Sequence, residues 1–221
     1  MNKQRTGVGE YTFELLSSIF KIDKDNQYFL FYNSYKDVSE NIPKWKHYNV
    51  HYISTRWPNK LLSLLTWWGI IRLDKLVLRH LERSSTIGRA ESPCLPAGRK
   101  DPMHKEGDPS VPLRFTQDDV KTIDYFFAPN INFLSLSRKT KLILTVHDLS
   151  FKILPECFPF KWRLVYKILR PKKMCQRANI ILTPSENTKR DIIREWGIDS
   201  EKVKVFYPGL SSVISRQLSD N

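Results

Sequence analysis

The spacing of hydrophobic residues in the first third of the chain switches between helical and strand-like periods. Apolar positions recur every three or four residues over 9–22, which predicts a helix. The aromatic run 27–33 and the alternating run 49–55 predict two strands. A long helical pattern then covers 60–83. The order helix, strand, strand, helix indicates an α/β protein.

The last part of the chain shows the same alternation. The predicted strands are 124–128, 141–146, 179–183 and 202–206, and the predicted helices are 160–177 and 185–196. Ser185 suits the N-cap of the last helix, and Gly197 suits its C-terminal end. Short strands separated by helices predict a doubly wound, mostly parallel sheet, which binds ligands beyond the carboxyl ends of its strands.

Residues 84–118 differ in composition and in hydrophobic pattern from the rest of the chain. They hold five of the 13 prolines and three of the 8 glycines, with almost no apolar periodicity. So long a segment is unusual inside a compact domain. We predict a disordered or loosely folded insertion at 84–118, which divides one domain into residues 1–83 and 119–221.

The net charge of +13 is concentrated outside that segment. Basic residues without any acid fill the predicted helix at 160–177, namely Lys161, Arg163, Lys167, Arg170, Lys172, Lys173 and Arg177. Such a face suits an anionic partner: a phospholipid, a lipid-linked diphosphate or a nucleic acid. A solvated helix face explains the same charges equally well.

Composition indicates a cytoplasmic protein. The three cysteines form no metal or disulfide pattern, and the polar N-terminus lacks the apolar core of a signal peptide. The most apolar stretch, 61–71, is too short to span a bilayer, which needs about 20 residues. We favour a core helix there over one lying in a membrane interface with Trp67 and Trp68 at headgroup level.

Two glycines mark the start of the first helix. Gly7, Val8 and Gly9 follow Thr6, and glycines at a helix N-terminus let backbone amides approach a phosphate or a sugar. An ordinary turn before a helix explains the spacing at least as well. The third glycine of a dinucleotide-binding fingerprint is missing.

Polar residues also follow two predicted strands. His147 and Asp148 come directly after 141–146. The imidazole of His147 can hydrogen-bond a sugar hydroxyl or stabilise developing charge. The carboxylate of Asp148 can fix the tautomer of His147 or contact an acceptor. We favour this functional role of His147 and Asp148 over a purely structural His-Asp turn.

Ser185, Glu186 and Asn187 follow the predicted strand 179–183. Capping the next helix is the favoured role of Ser185, and lining a site is the second. The histidines show no ligand spacing, so we expect no metal.

Four segments together resemble glycosyltransferase family 4, the retaining transferases with the two-domain GT-B fold. They are RTGVGEYTFELL, KLILTVHDLSFKILPECF, CQRANIILTPSENTKRDII and EKVKVFYPG, and VHDLSF is the most specific. The resemblance covers 5–83 and 119–210 and is closest to mannosyl- or rhamnosyltransferase-type members. It implies a Rossmann-like, acceptor-side N-terminal half of a GT-B fold.

The resemblance also implies roles for single residues. Gly7 and Gly9 match the loop facing the donor phosphates and the acceptor, and His147 with Asp148 matches the motif near the transferred sugar. Ser185 and Glu186 match the motif beside the cleft. The implied reaction moves a hexosyl group, with retention, from a nucleotide-sugar to a glycan or a lipid-linked acceptor. The implied enzyme needs no metal or other cofactor and contacts the inner membrane face peripherally.

Two parts of the family pattern are missing from the sequence. MNKQRT is too polar for the first core strand, and the nucleotide-binding C-terminal domain would lie beyond Gly209. We therefore expect a truncated chain that is inactive alone. Two rival hypotheses are a non-catalytic basic module that binds anionic lipid or nucleic acid, and a reading frame whose product does not fold stably.

Overall fold

Six parallel strands form the framework of the molecule. The computed structural model describes residues 6–36, 38, 41–45, 47, 49–90 and 122–207, and over 83–90 the backbone alone. The strands are β1 Tyr28–Asn33, β2 Val50–Thr55, β3 Tyr125–Ala128, β4 Lys141–Thr145, β5 Ile180–Thr183 and β6 Val203–Val205. Every described pairing is parallel, which confirms the predicted α/β class with a parallel sheet.

The strands are divided between two ladders. β1 pairs with β2, and the larger ladder has the order β3-β4-β5-β6. In the described part of the chain no hydrogen-bonded ladder joins β1 to β3, so the single sheet expected from the alternation is interrupted there. All six residues of β1 are half-buried, and β2 is the only strand that pairs with β1 in the described part of the chain.

Seven helices connect or flank these strands. They are α1 Gly7–Ile22, α2 Asn59–Trp67, α3 Leu73–Ala90, α4 Ser150–Ile153, α5 Phe160–Leu169, α6 Pro171–Arg177 and α7 Glu186–Trp196. Short 3-10 turns at Pro155–Cys157 and Ser200–Lys202 complete the described elements. α4 and both 3-10 turns lie where the sequence analysis predicted no element.

The single helix predicted over 60–83 is wrong. The chain leaves α2 at Gly69, which adopts a left-handed conformation with φ 73°. The amides of Ile70 and Ile71 then turn back to the carbonyl of Leu65. α3 continues to Ala90, past the predicted start of the insertion at 84, and residues 91–118 lie outside the described part.

The single helix predicted over 160–177 is also wrong. Arg170 has a positive φ of 50° and Pro171 opens α6, so the chain changes direction between the two helices. A proline cannot donate the helical hydrogen bond and disfavours helical geometry in the residue before it. Pro171 was therefore a visible break signal within the basic run.

The core lies around the larger ladder. Its buried members are Ala128, Ile131, Leu142, Leu144, Val146, Leu149, Cys175, Ala178, Ile181, Ile192, Trp196, Ile198 and Val203. They come from β3 to β6, from α6 and α7 and from the segments that connect these elements, as expected for a parallel sheet covered by helices. Burial raises the pKa of the Cys175 thiol to about 12, so this cysteine packs as an unreactive apolar residue.

A buried carboxylate fixes the start of α3. Asp74 accepts hydrogen bonds from the Ser137 amide at 3.1 Å and from the Thr140 hydroxyl at 2.9 Å. Arg177 at the end of α6 donates to the carbonyl of Ser137 at 2.8 Å. The loop before β4 thus holds the first turn of α3 and the last turn of α6. Burial alone would raise the pKa of Asp74, but these hydrogen bonds outweigh it and lower the pKa.

We predict that Asp74→Asn lowers the free energy of unfolding by about 1–3 kcal/mol, because the amide places an NH2 donor where one carboxylate oxygen accepts and removes the charge that strengthens the hydrogen bonds. The folded-state pKa of Asp74 is depressed, so its stabilisation is present above the unfolded pKa and lost as the pH falls through the folded value. The difference between wild type and variant should shrink below about pH 4. Urea unfolding across this pH range measures it.

Asp191→Asn is the matched control, because Asp191 pairs with Arg194 on the surface at 2.8 Å. An exposed pair of this kind contributes less than about 1 kcal/mol. Equal losses for the two variants would show that the loop network does not stabilise the fold.

Candidate functional site

The candidate site lies at the carboxyl ends of β4 and β5. Thr145 and Thr183 end these strands and are fully buried, and Val146 continues the pairing through a hydrogen bond from its amide to the carbonyl of Leu182 at 2.9 Å. His147 is the first residue past this buried end and is half-buried. The parallel arrangement therefore places the imidazole at the edge of the ladder where the strands have their carboxyl ends.

The imidazole of His147 has a defined orientation. Its Nε2 lies 3.0 Å from the carbonyl oxygen of Pro129, which follows β3. Because a carbonyl only accepts, Nε2 carries the proton, and Nδ1 holds the lone pair of the neutral ring. The end of β3 thus fixes the histidine tautomer.

The N-terminus of α7 is tied to the same histidine. The Ser185 hydroxyl accepts from the Thr188 amide at 3.2 Å, which confirms Ser185 as the N-cap. The Thr188 hydroxyl donates to the carbonyl of His147 at 3.2 Å and lies 3.1 Å from the Ser185 hydroxyl. The loop after β4 and the cap of α7 are therefore joined by side-chain hydrogen bonds.

The first turns of α1 reach the site through an aromatic side chain. Thr6 caps α1 by accepting from the Gly9 amide at 3.3 Å. One turn later, the ring of Tyr11 lies edge-on to the His147 ring, with centroids 5.3 Å apart. Tyr11 also contacts Phe206, just past β6, at 6.2 Å. The structure therefore brings α1, through Tyr11, and the start of α7, through Thr188, to His147.

Two buried hydroxyls lie beneath this contact. Neither the Tyr11 phenol nor the Thr145 hydroxyl completes a hydrogen bond with another described residue. Burial raises the pKa of Tyr11, and the nearby Thr145 hydroxyl offsets part of that rise. Unsatisfied buried hydroxyls are rare in folded proteins and are more acceptable where a site orders water or ligand.

The glycine segment borders an open groove of about 420 Å³. Its lining residues are Thr6, Gly9, Thr12, Phe13, Asn41, Pro43 and Trp45. Gly7 is exposed, and a side chain at its position would meet no atom within 4 Å. Val8 accepts from the Thr12 hydroxyl at 2.7 Å through its carbonyl. The hydroxyls, the amide and the rings of this groove are suited to a polar organic ligand such as a sugar.

Asp148 does not hydrogen-bond His147. Its carboxylate accepts from the Ser150 amide at 2.9 Å and from the Ser150 hydroxyl, which forms an Asx turn just before α4. The tautomer-fixing role suggested for Asp148 belongs to the carbonyl of Pro129. The carboxylate remains exposed beside the site, where an acceptor could reach it.

Glu186 and Asn187 lie in the exposed first turn of α7. The Asn187 side chain accepts a hydrogen bond from Arg190 on the same helix. Glu186 supplies negative charge at the positive end of the helix dipole. Both therefore have structural roles on the rim, in the same first turn of α7 as Thr188.

The basic helices form a second concave surface of about 870 Å³, which we call the basic groove. Its basic lining is Lys152, Arg163, Lys167, Arg170, Lys172 and Lys173, and its aromatic lining is Phe151, Phe160, Tyr166 and Trp196. Five of the seven basic residues in 160–177 line it, whereas Lys161 and Arg177 do not. Phe151 and Tyr166 stack at 4.0 Å. Burial, and secondarily the charge of Asp148, raises the pKa of Tyr166.

Residues outside the motifs complete the histidine site. Tyr11, Pro129, Thr188 and Phe206 all contact His147 or its neighbours. The sequence signal for Tyr11 was its place one helical turn after the glycines, and for Thr188 its place three residues after the cap. Pro129 carried no signal, because its role arises from the pairing of β3 with β4.

Neither a metal site nor a membrane span is found in the parts of the chain that the structure covers. No three His, Cys, Asp or Glu side chains group closely enough there to hold a metal ion. No helix there has the length and apolar character needed to cross a bilayer.

We predict that Thr188→Val shifts the NMR signals of the His147 ring and lowers the free energy of unfolding by about 1 kcal/mol, because the carbonyl of His147 loses its donor. Thr66→Val is the matched control. Thr66 is also buried and donates to a carbonyl, that of Leu62 at 2.9 Å, but it lies within α2. If both variants leave the imidazole signals unchanged, the Thr188 contact does not position the ring.

A comparison with family models agrees with this geometry. The model described as Glycosyltransferase Family 4 matches residues 6–212, which includes α1, the site around His147, the basic groove and β6. No curated protein matches the chain significantly.

Proposed function

We propose, since this chain belongs to glycosyltransferase family 4, that the site around His147 takes part in moving a hexosyl group from a nucleotide-sugar to a glycan or lipid-linked acceptor, with retention. The observation that carries the proposal is that α1, the residue after β3 and the start of α7 all contact His147. The ring of Tyr11 packs at 5.3 Å from that of His147, and the Thr188 hydroxyl binds its carbonyl.

The histidine would contact the transferred sugar. With Nε2 donating to Pro129, Nδ1 can accept from a sugar hydroxyl, or donate once the ring is protonated. Contacts from Pro129, Tyr11 and Thr188 hold the ring in place, which limits the entropy lost when a sugar binds. Asp148 would contact the acceptor from its exposed position.

The donor phosphates would lie along the rim. Gly7, Val8 and Gly9 offer the start of α1, where the helix dipole favours negative charge. Ser185, Glu186 and Asn187 would line the neighbouring edge. We propose that no metal takes part, so backbone amides and basic side chains would meet the charge of the leaving diphosphate.

The rim as described is open, and this bears on turnover. Stabilising a departing diphosphate requires preorganised groups in a site closed to water. The groove beside Gly9 has one described wall, formed by α1 and the segment around Trp45. We therefore propose that this chain alone binds its ligands weakly and turns over little or no donor.

The basic groove would hold the protein at an anionic membrane. Six exposed bases and an aromatic floor fit a phosphate-bearing amphiphile, and the acceptor of the reaction would be delivered there. The proposal includes a cytoplasmic location at the inner membrane face. A non-catalytic module that binds anionic lipid or nucleic acid through the same groove is the alternative.

We predict that millimolar nucleotide-diphosphate hexoses perturb the amide signals of Gly7 and Gly9 and the ring signals of His147. The expected shifts follow from phosphate at the start of α1 and sugar at Nδ1. Two-dimensional NMR with UDP-, GDP- and dTDP-linked hexoses measures them. His147→Ala should abolish the sugar-dependent part and leave the shifts caused by nucleotide alone.

His51→Ala is the control for that experiment, because His51 lies on β2 and hydrogen-bonds Gln27 at 3.0 Å. Donor binding should survive this change. Perturbations that avoid Gly7, Gly9 and His147 for every donor would refute the proposed site. Rapid transfer by the chain alone would refute only the proposed inactivity.

We predict that Lys167→Gln/Lys172→Gln/Lys173→Gln weakens binding to vesicles containing phosphatidylglycerol by about tenfold or more, since each base near an anionic surface contributes about 1 kcal/mol. The same charge change at Lys139, Lys189 and Lys204, which lie outside the groove, should have a smaller effect. Vesicle co-sedimentation at several salt concentrations measures both. Tighter binding to DNA than to vesicles at equal salt would favour the alternative module.

A further inference from the structure

The region that the sequence analysis favoured as a core helix exposes most of its apolar side chains. On α2 and the turn after it, Leu61 and Leu64 are each 43% exposed, Trp67 is 47% exposed, and Trp68 and Ile70 are each 63% exposed. We call these five residues the α2 apolar face. Only Leu62 and Thr66, one turn apart, are buried against the domain. The core-helix expectation is therefore wrong for the outer side of α2.

These side chains form one surface. Leu61, Leu64 and Trp68 follow three- and four-residue spacing along one side of the helix. The rings of Trp67 and Trp68 are 6.4 Å apart, so they share the C-terminal end of α2. Single exposed apolar residues are ordinary, but a contiguous apolar surface with two tryptophans marks an interaction site.

The turn after α2 keeps this surface outward. Gly69 takes a left-handed conformation, and the amides of Ile70 and Ile71 both bond to the carbonyl of Leu65. The turn therefore folds back on the helix end while Ile70 stays exposed beside the two tryptophans. A side chain at position 69 would be strained, so the glycine is needed for this shape.

The charges around this surface identify its partner. Arg56, Lys60 and Arg72 are exposed at its borders, and no acidic residue occurs from Val50 to Leu73. The next acid, Asp74, is buried and bonded to Ser137 and Thr140. A second copy docking through the same surface would bring like charges together, which disfavours a symmetric dimer.

We propose that the α2 apolar face inserts into the interface of an anionic phospholipid bilayer, with Trp67 and Trp68 at headgroup level and the flanking bases on lipid phosphates. This lipid contact is separate from the basic groove and does not depend on glycosyl transfer. Insertion of the α2 apolar face would add burial of apolar side chains to the electrostatic attraction between the basic groove and the bilayer. The first turn of α3, just after this face, is held by the same loop that Arg177 of α6 contacts.

The first test compares two double variants in co-sedimentation with vesicles of phosphatidylcholine containing phosphatidylglycerol. Leu64→Ser/Trp68→Ser should weaken binding about tenfold or more, because interfacial binding scales with buried apolar area. Ile22→Ser/Tyr35→Ser removes apolar side chains that are 82% and 74% exposed elsewhere, and should leave binding unchanged. A single Leu64→Glu change repeats the test with a smaller alteration if the double variant is less stable.

The second test measures insertion directly. Brominated phosphatidylcholine mixed into the same vesicles should quench the protein's tryptophan fluorescence. Trp67→Phe/Trp68→Phe should still bind but lose most of the quenching, whereas Trp162→Phe, on α5, should retain it.

Unchanged affinity of both the double variant and Leu64→Glu would overturn the inference. If only Lys167→Gln/Lys172→Gln/Lys173→Gln weakens binding to vesicles, the proposed insertion of the α2 apolar face is refuted, while the proposal for the basic groove stands. A vesicle-free dimer that Leu64→Glu dissociates would also overturn it, in favour of a second copy on this face.

Discussion

The hydrogen bond from the Thr188 hydroxyl to the carbonyl of His147 joins the loop after β4 to the start of α7. His147 lies two residues past β4, Thr188 belongs to the capped first turn of α7, and Tyr11 of α1 packs against the imidazole. None of these segments could meet without the parallel pairing of β4 with β5, which brings Thr145 beside Leu182. The site therefore depends on sheet topology first and on individual side chains second.

Elements with a strong local signal could be predicted from the sequence. The period of α1, the apolar runs of β4 and β5, and the Ser185 and Gly197 caps of α7 are all encoded within a few residues. The errors came where one residue overrides a continuous pattern. Gly69 and Pro171 each divide a helix whose flanking apolar and basic periods suggested continuity. The backbone preference of a single residue decided the outcome in both cases.

The site could be predicted in outline but not in its contacts. The rule that ligands bind at the carboxyl ends of parallel strands placed His147 and Ser185 on one rim. The tautomer-fixing carbonyl of Pro129 could not be found this way, because it depends on how the chain leaves β3. Proximity in sequence made Asp148 the more obvious partner, yet an aspartate readily accepts a hydrogen bond from the backbone amide two residues later, as Asp148 does from Ser150. This local turn was the better guide for that residue.

The two surfaces proposed to contact lipid would act over different distances. Charges in the basic groove would attract an anionic bilayer across about 8–10 Å at physiological ionic strength. The α2 apolar face would gain free energy only once its side chains leave water. Each surface would supply what the other lacks, since salt weakens the electrostatic attraction and leaves apolar burial largely unaffected. The Asp74 and Arg177 hydrogen bonds to one loop connect α3, which follows the α2 apolar face, with α6, which lines the basic groove.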